Sequence, residues 1–154
     1  MVWLFIIFVM ALAFAPLLHF APSKRQRRVA RMREQAAMAG LFVEYRDPPG
    51  GTERPWPLGI NSASVIFYGK RLPAKRCGRI AGVGWRRDVQ GWCAVGGYVP
   101  VPESFEDLPS DVLAASADDG SCGVFWTEAE EGVTIEQIRS SLERWSEALC
   151  QPPK

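Results

Sequence analysis

The chain has 154 residues, a charged fraction of 23%, a net charge of +1 and one histidine. This length accommodates one small domain with its own core behind an N-terminal segment, and it leaves no room for a second domain. The histidine, His19, lies in the apolar N-terminal run, so a catalytic triad built on histidine is excluded from the rest of the chain. The 14 glycines, 12 prolines and 6 tryptophans predict turns and aromatic packing in place of long helices.

The near-zero net charge conceals an asymmetry along the chain. Residues 1–33 carry six positive and no negative side chains, residues 34–87 carry nine and four, and residues 88–154 carry three and thirteen. The three blocks therefore have net charges of +6, +5 and −10. A basic and an acidic half either pair within the fold or present opposite faces to partners.

The N-terminal segment has no charged side chain from Val2 to Ala21, and it is apolar on every face. A helix of this length measures about 30 Å, which matches the hydrocarbon core of a bilayer. We therefore predict a transmembrane anchor over residues 1–22, with Pro16 as a candidate kink. A cleaved signal peptide is the alternative, but the basic residues follow the apolar run instead of preceding it.

Six basic residues come next, before the first acidic residue, Glu34. They are Lys24, Arg25, Arg27, Arg28, Arg31 and Arg33. Short flanks rich in Lys and Arg remain on the cytoplasmic side, so the pattern predicts an inner-membrane protein with its N-terminus outside and its soluble domain in the cytoplasm. A second role is adhesion to anionic lipid headgroups, and a topology signal alone is the alternative. Ser23 as N-cap and Gly40 as the stop predict a basic juxtamembrane helix over residues 23–40.

Residues 41–154 are predicted to form a small α+β domain, an antiparallel, aromatic-rich sheet packed by a C-terminal helix. The strand signals are bulky, β-prone runs at residues 41–46, 65–68, 80–85, 91–95, 112–117 and 122–127. Two hairpins are predicted, one pairing 80–85 with 91–95, and one turned at Asp118-Asp119-Gly120-Ser121. The segment Pro55-Trp56-Pro57 is interpreted as a loop whose indole ring covers the core, with a ligand for a polyproline-binding groove as the alternative.

The C-terminal helix is predicted to begin at a capping box, Thr134-Ile135-Glu136-Gln137. Apolar residues then recur three or four apart and form one stripe: Ile135, Ile138, Leu142, Trp145 and Leu149. We expect this stripe to cover one face of the sheet, with docking to another protein as the alternative.

The residues that could carry chemistry are dispersed. The four cysteines, Cys77, Cys93, Cys122 and Cys150, include no Cys-x-x-Cys pair. In a reducing cytoplasm they are interpreted as small apolar residues, in an external domain their even number would suggest two disulfides, and a zinc site is a further alternative. The acidic clusters, Glu128 with Glu130 and Glu131 and Asp118 with Asp119, fall where surface charge is usual. We therefore predict no catalytic residue, metal ion or cofactor.

A basic stretch in the middle of the chain suits nucleic acid or a lipid surface. It comprises Lys70, Arg71, Lys75, Arg76, Arg79, Arg86 and Arg87, with Tyr68 and Trp85 among them. Aromatic rings between basic residues can hold a single strand. Contact with anionic lipid, or pairing with the acidic block, is the preferred interpretation.

The apolar span, the sequence Ala21-Pro22-Ser23-Lys24-Arg25-Gln26-Arg27-Arg28 and the helix that reaches a glycine resemble the start of the YajC family, single-pass accessory subunits of the Sec preprotein translocase. The opening is also similar to that of small uncharacterised bacterial inner-membrane proteins. The resemblance covers the N-terminal third of the chain and implies a bacterial inner-membrane protein without catalytic residues. We accordingly expect a non-catalytic accessory or scaffold subunit of a membrane complex, with a protein partner. The alternative is a membrane-tethered enzyme or a metal-binding or nucleic-acid-binding domain.

Overall fold

The computed structural model describes residues 2–19, 22–51, 56, 60–61, 64–73, 77, 80, 82–128 and 135–151. The chain divides into two compact units, Met1–Arg31 and Met32–Lys154. The helices are α1 (Val2–His19), α2 (Lys24–Met38) and α3 (Ile135–Leu149). The strands are β1 (Phe42–Glu44), β2 (Ile66–Arg71), β3 (Val83–Asp88), β4 (Gly91–Val95), β5 (Val112–Ala117) and β6 (Ser121–Trp126).

The predicted transmembrane anchor is the main correction. Among the residues that the structure describes, none of the helices combines the length and the apolar character that crossing a membrane requires. Helix α1 has 18 residues. The predictions of a transmembrane helix, a single-pass protein and an inner-membrane localisation are therefore wrong.

Helix α2 begins and ends at the residues that its sequence indicates. The backbone N–H of Ser23 donates to Gln26 Oε1 at 2.8 Å, and the Gln26 N–H donates to Ser23 Oγ at 3.2 Å, which is a reciprocal capping box. At the other end Gly40 has a φ of 76°. The N–H of Leu41 donates to the Ala36 carbonyl, as in a Schellman motif, and both residues are buried. Local signals alone therefore fix this helix.

The six strands form one antiparallel sheet in the order β1-β2-β6-β5-β3-β4. Both predicted hairpins form, β3–β4 and β5–β6. In the first, residues 86–88 belong to β3 and not to the tip between 80–85 and 91–95 where the prediction placed them, because the loop is only two residues long. In the second turn, Asp118 Oδ1 accepts the backbone N–H of Gly120 at 3.0 Å and of Ser121 at 2.8 Å. The α+β class fits the structure, and the C-terminal helix packs against β6, β2 and a 3-10 turn at Glu103–Phe105.

One face of the sheet is covered by α3 and by aromatic rings. Four residues of the predicted stripe are buried, Ile135, Ile138, Leu142 and Trp145, and Leu149 is half-buried. Trp85, Phe105 and Trp145 form an edge-to-face cluster with ring centroids 4.9–5.6 Å apart. Trp92 joins it through Phe105, at 4.8 Å. The stripe is thus used within the chain; Thr134 of the predicted capping box lies outside the described residues.

The opposite face is covered by Trp56, which is buried as predicted, and by a ring cluster around Phe67. Phe67 lies 4.8 Å from Phe125 and 5.9 Å from Phe42, measured between ring centroids. The guanidinium of Arg86 stacks 4.0 Å from the Trp56 ring, and that arginine is buried. Both faces of this sheet therefore carry packed side chains, and among the described strands β1 and β4 form its two edges.

Replacement of Gly123 by alanine is expected to lower the free energy of unfolding by about 1–3 kcal/mol, as overpacking does. A Cβ at this position would lie 2.3 Å from Phe67 Cζ and 2.5 Å from the Tyr68 carbonyl oxygen, and the backbone atom cannot move aside. Gly82→Ala is the matched control, because a Cβ there meets nothing within 4 Å. Urea denaturation of both variants measures the difference, and equal stability would show that the Phe67 ring is not packed on Gly123.

Candidate functional site

An ion cluster around the buried Glu128 side chain joins α2 to the sheet. Arg33 donates from Nε to Glu128 Oε1 and from Nη2 to Oε2, both at 2.9 Å, and Tyr68 Oη donates to Glu128 Oε1 at 2.6 Å. The Glu128 side chain is only 5% exposed, whereas that of Arg33 is 36% exposed. Glu128 has a φ of 53°, which is uncommon for a residue other than glycine. The carboxylate is held by two donors that lie far from it in sequence.

The electrostatics of this cluster favour a fixed ion pair. Hydrogen bonding to Glu128 raises the pKa of Arg33, so the guanidinium stays charged. Burial, followed by the hydrogen bond to Glu128, raises the pKa of Tyr68, so the phenol stays protonated and donates. Both donors therefore act as structural links between Glu128 and the elements that carry them.

Further contacts pair the basic and acidic blocks of the sequence. Arg46 Nη1 lies 3.0 Å from Asp118 Oδ2, and Lys70 Nζ lies 3.9 Å from Glu143 Oε1. Burial works to raise the pKa of Asp118, but hydrogen bonds from Gly120 and Ser121 and the charge of Arg46 outweigh it and lower that pKa. The acidic turn therefore serves its hairpin, and charge pairing within the fold accounts for part of the asymmetry.

The six basic residues of the predicted membrane-surface set have different surroundings. Four are exposed on α2, namely Lys24, Arg25, Arg27 and Arg31. Arg28 is half-buried, and Arg33 forms the bidentate contact with Glu128. The sequence pattern grouped Arg33 with the surface residues, because nothing near it in sequence indicates a buried acidic partner.

The cysteines separate into a bonded pair and two single thiols. Cys77 and Cys150 form a disulfide across 73 residues, a bond that is not expected in the reducing cytoplasm assumed from the sequence. Cys93 is exposed, and Cys122 is buried, which raises the pKa of its thiol to about 12. The strand register places Cys93 and Cys122 on opposite faces of the sheet. Within the described residues no group of three or more metal-binding side chains forms.

The aromatic residues of the predicted basic stretch are withdrawn from the surface. Tyr68 and Trp85 are buried and cannot stack on bases. Arg86 lies on the Trp56 ring, and Arg87 donates to the Pro109 carbonyl at 2.9 Å. Lys75, Arg76 and Arg79 lie outside the described residues. The described part of this stretch thus offers no aromatic platform for a single strand.

The two edges of the sheet differ in a way that the sequence reading missed. The edge strand β1 has three residues, and its Glu44 accepts from Arg46 Nε at 2.7 Å. The edge strand β4 has five residues, Gly-Trp-Cys-Ala-Val, and none carries a charge. Short length and charge protect a sheet edge from pairing with another chain. In the described part of the chain, β4 pairs with β3 alone, and it is protected neither by short length nor by charge.

The hydrogen-bonding groups that β4 presents outward follow from its register. Asp88 pairs with Gly91 across a two-residue loop, Val89-Gln90, and Arg86 pairs with Cys93. Hydrogen-bonded pairs alternate with non-hydrogen-bonded ones along an antiparallel hairpin, starting from the pair beside the loop. The N–H and C=O groups of Trp92 and Ala94 therefore point away from β3.

Two exposed apolar side chains flank this edge. Val89, at the hairpin tip, is 94% exposed, and Tyr98, just beyond the far end of β4, is 100% exposed. A hairpin signal was visible in the sequence, but the signal does not show which of its strands becomes an edge. The exposed backbone of β4 with these two side chains is hereafter the β4 edge.

Comparisons with protein-family models, with curated proteins and with solved structures find no match for this chain. Its function therefore has to be inferred from its own geometry.

Proposed function

We propose that the chain is a non-catalytic binding module, an accessory or scaffold component that recruits an extended segment of a protein partner to the β4 edge. The observation that carries the proposal is the five-residue, uncharged edge strand β4. A strand added there gains main-chain hydrogen bonds from the groups of Trp92 and Ala94, and side-chain contacts supply selectivity.

The acidic and phenolic groups of the second unit favour binding over catalysis. Glu128 is held between Arg33 and Tyr68, and Asp118 is held by its own turn and by Arg46. Such groups are engaged in maintaining the fold, whereas a catalytic acid or base must be within reach of a substrate. The β4 edge, by contrast, has backbone donors and acceptors directed outward.

A library of random extended peptides displayed on phage tests the proposal on the full chain. Selected peptides are expected to slow hydrogen exchange at the amides of Trp92 and Ala94. Ala94→Pro is expected to abolish binding because it removes an outward N–H, and an edge strand tolerates proline at such a position. Ala94→Ser keeps the N–H and serves as the matched control. Peptides that bind equally well to the proline variant would refute strand addition at β4.

A further inference from the structure

We infer that the partner of the β4 edge is a second copy of this chain, joined by antiparallel pairing of β4 with β4 about a two-fold axis at Cys93. Dimerisation of this kind presupposes the strand-addition function proposed above. It would join two six-stranded sheets into one continuous sheet through an interface that is the same on both copies.

The strand is complementary to itself in hydrogen bonding. The outward groups belong to Trp92 and Ala94, which lie one residue on either side of Cys93. A two-fold axis at Cys93 places Trp92 of each copy opposite Ala94 of the other, so two hydrogen-bonded pairs form. Shifting the axis by one residue opposes Trp92 to Trp92 or Ala94 to Ala94, which mismatches the side-chain sizes, and it reduces the overlap of the two strands.

The strand is also complementary to itself in size and charge. A large indole is opposed by a small methyl group in both pairs, and Gly91 is opposed by Val95. Because none of these residues is charged, the pairing brings no like charges together, whereas self-pairing of β1 would place Glu44 in the interface. Of the two edges, β4 is therefore the one suited to a second copy.

The same axis explains the two exposed side chains. Val89 lies four residues before Cys93 and Tyr98 lies five residues after it, so the two-fold axis places the hairpin tip of one copy, which carries Val89, beside the end of β4 of the other copy, which Tyr98 follows. Each contact forms once at either end of the paired strands. Within one copy the two side chains lie beyond opposite ends of β4, so they cannot meet. Dimerisation thus brings together, at each end of the interface, two apolar side chains that are 94% and 100% exposed in the single chain.

The first test is thiol crosslinking of the full chain by a short bismaleimide. Cys93 lies on the axis and is expected to crosslink to its copy. The control carries Cys93→Ser with Gln90→Cys; Gln90 is also exposed, but its two copies would lie about 20 Å apart along the strands. Equal crosslinking at both positions would overturn the inference, because it would indicate non-specific association.

The second test is sedimentation equilibrium of charge variants at the two exposed positions. Tyr98→Asp is expected to raise the dimer dissociation constant about tenfold, through lost contact area and the proximity of Asp88 of the other copy. Adding Val89→Lys is expected to restore part of the affinity through an ion pair that can form only between copies. If the double variant is no tighter than Tyr98→Asp alone, the predicted register is wrong.

These experiments distinguish a failure of the proposed dimer from a failure of the proposed strand addition. A monomeric full chain without a Cys93 crosslink would overturn dimerisation. If selected peptides still slow exchange at Trp92 and Ala94 in that monomer, the binding module remains and its partner is another protein. If neither a dimer nor peptide binding is found, the dimer and the binding module are both wrong.

Discussion

Replacement of Arg33 by methionine is expected to lower the free energy of unfolding by about 1–3 kcal/mol, the cost of depriving a buried acceptor of its charged donor, because the 36% exposed Arg33 side chain is partly screened by solvent. The loss arises at Glu128, whose side chain is 5% exposed and would lose the bidentate contact with the Arg33 guanidinium. Methionine retains most of the volume of the arginine side chain, so the effect measures the charge and not a cavity.

Urea denaturation followed by tryptophan fluorescence measures this effect. Arg27→Met is the matched control, because Arg27 is exposed on the same helix and is expected to change stability by less than about 0.5 kcal/mol. Adding Glu128→Gln to Arg33→Met is expected to recover part of the loss, since the buried charge is then absent. A loss below about 1 kcal/mol would show that Glu128 finds water or another donor.

Removal of the disulfide, by Cys77→Ser with Cys150→Ser, is expected to lower the free energy of unfolding by about 4 kcal/mol on the chain-entropy model. The bond closes 73 residues, so its loss frees a large loop in the unfolded chain. It also ties the end of α3, at Leu149, to a segment between β2 and β3. The effect is expected to appear mainly as a lower denaturation midpoint.

The control is to measure the stability of each chain with and without reductant. When reduced, the wild-type chain is expected to have the same free energy of unfolding as the double serine variant. Reductant should not change the stability of that variant. Cys93→Ser should behave as the wild type does, because Cys93 lies outside the disulfide. A wild-type midpoint that does not change on reduction would contradict the assignment of the bond.

Much of the local structure could be predicted because its causes are close together in sequence. Ser23 and Gln26 cap α2 from three residues apart, and Asp118 fixes its hairpin through the next three residues. The stripe of α3 repeats every three or four residues, so its burial follows from helix geometry. These elements need no knowledge of the rest of the chain.

The prediction of a membrane anchor failed although it also rested on a local pattern. Apolar composition indicated a span over residues 1–22, but no helix in the described part of the chain is both long and apolar enough to cross a membrane. Composition measures how apolar a segment is, whereas spanning also depends on the length that is actually helical.

The sequence by itself determined the α+β class, the caps of α2, both hairpins and the buried stripe of α3, since each depends on neighbours within a few residues. Only the tertiary structure decided that β3 lies beside β5, that β4 becomes an edge, that Arg33 meets Glu128 across 95 residues and that Cys77 meets Cys150. These outcomes depend on how all the strands pack into one sheet, because residues distant in sequence meet only when the whole core is assembled.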